Sequence, residues 1–69
     1  MISLELDTSK ESVTINVDNQ GIEQLMGYLE FVSKANDHIH LVIGIDLSDE
    51  VFEPGSTFIK FLTIRPVEK

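Results

Sequence analysis

His38 and His40 are the two histidines of the chain, and they lie two residues apart in the run Asp37-His38-Ile39-His40-Leu41-Val42-Ile43. If that run is a β-strand, alternate residues share a face. His38, His40 and Val42 then point one way, and Ile39, Leu41 and Ile43 the other. Two neutral imidazoles side by side suit a zinc ion, with Glu5 or Asp7 from another strand as a third ligand. Zinc sites use four protein ligands when structural, and three plus water when catalytic. Two histidines and one carboxylate fall short of the first count, so a pair of exposed strand histidines is the alternative.

No other constellation carries chemistry. A pair of catalytic carboxylates needs a pocket in which one acid is kept protonated beside an ionised one, and a chain of 69 residues offers little room for it. Ser48 and Ser56 have no histidine and aspartate at telling spacings, and the four glycines are scattered instead of forming a phosphate-cradling loop. No catalytic residue and no cofactor are expected. Asp46, Asp49, Glu50 and Glu53 form an acidic stretch. It lacks the sixth-position glycine and twelfth-position glutamate of an EF-hand loop, and reads as a solvated loop or a surface for a basic partner.

The elements that position these residues follow from periodicity. Ile2, Leu4 and Leu6 alternate with Ser3, Glu5 and Asp7; after the polar link 8–11, Val13, Ile15 and Val17 alternate with Thr14, Asn16 and Asp18. Two alternating runs across a short polar link predict an antiparallel hairpin with a solvated polar face. Asp18 or Asn19 is a suitable N-cap. From there the period becomes helical, with Ile22, Leu25, Met26, Leu29 and Val32 forming the stripe expected to face the sheet and Tyr28 and Phe31 widening it. Gly27 in mid-helix costs about 1 kcal/mol relative to alanine, and close packing of helix on sheet is the expected reason for it. Asn36 can adopt the left-handed conformation that ends a helix. Residues 38–45 predict a third strand and 57–65 a fourth, stopped by Pro66. Between them runs a long acidic loop in which Pro54-Gly55 suits the centre of a type II turn.

The order ββαββ predicts an α+β fold, a single domain over residues 1–69, with one helix on one face of a four-stranded, mostly antiparallel sheet. A helix covers one side only. Val42, Ile59 and Phe61 are therefore expected on an uncovered apolar face that would serve a protein partner or a homodimer, unless the long loop folds back over them.

Composition narrows the partner. Twelve acids against five bases give a formal net charge of −7. Nucleic-acid affinity comes largely from phosphate neutralisation, so DNA, RNA and anionic membrane surfaces are excluded as partners, whereas a basic protein is favoured. There are no cysteines, so no disulfide or thiolate site staples the chain, which folds on packing alone or gains stability by association. The absence of cysteine, of a signal-like segment and of a roughly 20-residue apolar run points to a cytoplasmic location.

Over residues 20–65, the helix, the Asp37-His38-Ile39-His40-Leu41 junction and the closing Phe61-Leu62-Thr63-Ile64-Arg65 strand resemble the immunity protein 32 family of bacterial polymorphic toxin systems. The resemblance implies a small α+β immunity protein that binds and neutralises a cognate toxin without catalysis of its own. The charge of −7 would suit a basic toxin. A homo-oligomeric assembly protein, and a metal-binding regulator acting through His38 and His40, are the alternatives.

Overall fold

The computed structural model describes residues 1–67 and has an α+β architecture. Strands β1 (Ile2–Leu6) and β2 (Val13–Val17) form the predicted antiparallel hairpin, with Leu4 opposite Ile15. Asp7 closes the link between them. Its backbone N–H donates to the Ser12 carbonyl, and its carboxylate accepts from the Ser9 hydroxyl and from the backbone N–H of Glu11 and Ser12.

Helix α1 spans Asn19–Ala35. Asp18 is its N-cap, accepting from the Gly21 N–H at 2.7 Å and from the Met1 amine at 2.6 Å. One carboxylate thus ties the start of β1 to the start of the helix. Gly21 is required at this junction, because a Cβ there would lie 1.9 Å from the Met1 carbonyl oxygen. The helix ends as expected, with Asn36 left-handed at φ 51°.

The helical stripe that meets the sheet is rotated from the predicted one. Gly21, Leu25, Tyr28 and Val32 are the covered positions, while Ile22, Met26 and Leu29 are exposed. Gly27 has open space around it, so close packing is not the reason for that glycine. The close approach occurs six residues earlier, at Gly21.

The expected single four-stranded sheet is replaced by two. One has the order β2-β1-β4, and the other pairs β3 (Ile39–Val42) with β5 (Phe61–Ile64); every strand pair is antiparallel. The predicted last strand is interrupted between β4 (Thr57–Phe58) and β5. The Ile59 N–H still bonds the Leu4 carbonyl, but the next carbonyl, that of Lys60, accepts from Ile43. The chain therefore changes partner from β1 to β3 at this point, carrying one extended segment from the first sheet to the second. The third strand is also shorter than predicted. After Val42 the chain turns, with Gly44 at φ 84°, and the Val42 carbonyl accepts from the N–H of Ile45, Asp46 and Leu47.

Ile2, Leu4, Leu41 and Leu47 form the buried core, and Val17, Leu25, Tyr28, Ile39, Ile59, Leu62 and Ile64 pack around it. Core residues thus come from both sheets, the helix and the turn after β3. No helix among the described residues is long and apolar enough to cross a membrane.

Candidate functional site

The predicted acidic loop becomes a site through Glu5. The alternation of β1 puts Ser3 and Glu5 on the face expected to be solvated, yet they are 0% and 2% exposed. The segment after β3 lies over this face. Glu5 Oε1 accepts from the Glu53 N–H at 3.1 Å, and Oε2 from the Phe52 N–H at 3.1 Å and from the Asn16 side-chain amide. That amide also donates to the Ser3 hydroxyl at 3.1 Å. The Asn16 amide, the backbone N–H of Phe52 and Glu53 and the Ser56 hydroxyl together hold the Glu5 carboxyl below its ordinary value of 4.5 against the opposing effect of burial. A buried carboxylate is tolerable only when its lone pairs are satisfied; here hydrogen-bond donors do so.

The remainder of the loop is fixed at three further points. The Ser48 N–H donates to the Ile2 carbonyl at 2.7 Å. Pro54 and Gly55 occupy the predicted turn, with Gly55 at φ 86° and the Ser56 N–H returning to the Glu53 carbonyl. Asp46 accepts from the Tyr28 hydroxyl at 3.3 Å and from the Val42 N–H at 3.2 Å. Burial, and then the Asp46 charge, push the Tyr28 hydroxyl above its ordinary value. The four predicted partner-binding acids therefore divide: Asp46 is spent on internal bonds, whereas Asp49, Glu50 and Glu53 are exposed.

The second predicted site lies on the outer face of β3 and β5. The rings of His38 and His40 are 4.7 Å apart, and Phe61 sits 5.1 Å from His40. A ring nitrogen of His40 meets the Thr63 hydroxyl at 2.9 Å, while His38 Nδ1 lies 3.0 Å from Asp37. The expected third metal ligands are elsewhere: Glu5 and Asp7 are both committed to the bonds described above. No group of three or more histidine and acidic side chains that could hold a metal ion occurs among the described residues. Phe61 is 53% exposed and pairs across the strands with the half-buried Val42. Ile59 does not join them, because the partner change turns its side chain to the core. The long loop covers the polar face of β1 and leaves Phe61 open.

Sequence reasoning named Glu5 only as a candidate metal ligand; it missed the buried role of Glu5, and it missed Asn16 altogether. An acid alternating with apolar residues on a strand reads as solvent-facing; the available signal was the pair of polar residues, Ser3 and Asn16, that the hairpin register sets opposite one another beside it. No family model, curated protein or solved structure matches the chain.

Proposed function

We propose that this protein is a small, acidic, non-catalytic binding module for a basic protein partner. The observation that carries this reading is the Glu5 clamp, which fixes a loop bearing Asp49, Glu50 and Glu53 to the sheet while those three side chains stay in solvent. A preordered loop loses less conformational freedom on binding than a free one. A net charge of −7 adds long-range attraction for a basic surface and accelerates encounter. A cognate toxin is the partner implied by the resemblance to the immunity protein 32 family.

Replacing Asp49, Glu50 and Glu53 together by serine tests the reading. A basic protein captured from the source lysate by the wild-type chain should associate with the variant at least about tenfold more slowly, and its association rate should depend less on salt. Equal rates at low salt would remove the loop from the interface.

A further inference from the structure

We infer that the outer edge of β2 is a self-pairing surface, through which two copies of this chain join their three-stranded sheets into one. The hydrogen-bond register shows which groups of β2 are available. Asp18 bonds Met1, and Asp7 bonds Ser12, so the narrow pairs of the hairpin fall at Ser12, Thr14, Asn16 and Asp18. Val13, Ile15 and Val17 occupy the wide pairs, and their backbone N–H and C=O groups point away from β1. β2 ends its sheet, so no strand among the described residues receives them.

The strand itself carries no protection at this edge, and of the acidic loop Glu50 and Phe52 border it, across an open groove with Ile15, Asn16 and Val17. Val13-Thr14-Ile15-Asn16-Val17 contains no charge and no proline, the features with which proteins blunt an exposed strand. The strand is also self-complementary. A two-fold axis at Ile15 sets Ile15 against Ile15 and Val13 against Val17 of the second copy, each a narrow pair, for about six new backbone hydrogen bonds. Thr14 then faces Asn16. Extending the register by position sets Ser12 against Asp18 and Glu11 against Asn19, so no two acids are directly opposed. It also carries Lys10 and Glu11, at the hairpin turn, to the helix start of the other copy, where Asp18 is already paired with the Met1 amine.

The helix supplies a second layer. Gln20 and Gln24 share an open groove with Ile45–Ser48, and Ser48 lies on the edge of β1 opposite β2. At 100° per residue, Ile22 and Leu29 lie on the other flank of the helix, with Met26 beside them, towards β2. They are exposed, as are Val13 at 55% and Ile15 at 52%. Pairing about Ile15 keeps both helices on one face of the joined sheet, so these flanks approach each other across the axis and gain the cover they lack in one chain.

Sedimentation equilibrium, combined with amide hydrogen exchange of the full chain over a concentration series, tests the inference. The expected mass rises towards twice the 7.8 kDa of one chain. In step with it, the amides of Val13, Ile15 and Val17 become slow to exchange, while those of Thr14 and Asn16 are slow throughout. Ile15→Lys should raise the dimer dissociation constant by about a hundredfold or more, and Phe61→Ser should leave it unchanged. A wild-type chain that stays single at millimolar concentration would overturn the inference. So would a dimer whose Val13, Ile15 and Val17 amides exchange freely, or protection of those amides only on adding a strand-forming basic peptide. If Ile15→Lys fails to fold, the wild-type exchange pattern decides. Glu50 borders Ile15, Asn16 and Val17, but the joint is made by the backbone of β2 and not by the acidic side chains, so the serine variant of the loop should still dimerise.

Discussion

Glu5 and the His38–His40 pair are the two places where this chain assembles polar side chains, and they sit at opposite extremes. Glu5 is buried, and its carboxylate is satisfied by donors from β2 and from the acidic loop. The histidines stand in solvent on the β3–β5 face, ring against ring, with Asp37 beside His38 and Thr63 beside His40. The motif that looks special in the sequence therefore bears little on the fold, and a strand glutamate expected to face solvent holds the longest loop in place. What separates them is the consequence of losing a partner: an exposed group turns to water, whereas a buried one leaves its donors unsatisfied.

The largest effect that would sharpen this contrast is at Glu5. In Glu5→Gln the amide nitrogen must face a donor whichever way it is turned, since Oε1 accepts from Glu53 and Oε2 from Phe52 and Asn16. The thermal midpoint at pH 7 should fall by roughly 10 °C, as followed by circular dichroism.

A smaller effect appears with pH. The folded-state pKa of Glu5 lies below its ordinary value, as do those of Asp7, held by the Ser9 hydroxyl, and Asp18, held by the Met1 amine. These carboxylates stabilise the fold fully above their ordinary values of 4.5 for Glu and 3.8 for Asp. The contribution is lost as pH falls through their lowered folded values. The gap between wild type and Glu5→Gln should therefore be widest above about pH 5 and close under stronger acid. Urea titrations across pH 2–7 measure it, and a constant gap would contradict the assignment.

The smallest effect belongs to the histidines. His38→Ala with His40→Ala should change stability by less than about 1 kcal/mol. Zinc should give no more heat on calorimetric titration of the wild type than of this double variant. Tight, histidine-dependent zinc binding would break the comparison by showing that ligands from outside the chain complete a site.

Much of the fold was legible because its signals are local. Alternation marked β1 and β2, the change to a helical period marked α1, and Asp18, Asn36 and Pro54-Gly55 marked a cap, a helix end and a turn through their own backbone preferences. The rest depends on contacts distant in sequence. Ile22, Met26 and Leu29 make as good an apolar stripe as the one that is buried; the choice between them follows from the approach of Gly21 to Met1, which no periodicity contains. The partner change after Ile59 was hidden because Phe58 to Ile64 is apolar on both faces, so neither face declares its layer. The role of Glu5 was hidden because its backbone donors, Phe52 and Glu53, lie more than forty residues away. The His38–His40 face, by contrast, was readable from alternation for His38, His40 and Phe61, but not for Ile59, which the partner change turns to the core.

The central claim, that Glu5 fixes the acidic loop to the sheet, is tested most directly by amide hydrogen exchange of Phe52 and Glu53 in the wild type and in Glu5→Gln at one pH. The account predicts that both amides are protected in the wild type, although neither belongs to a strand or helix. In the variant they should exchange at close to unstructured rates, while Thr14 and Asn16 in β2 remain protected. Free exchange of Phe52 and Glu53 in the wild-type chain, or unchanged protection in the variant, would contradict it.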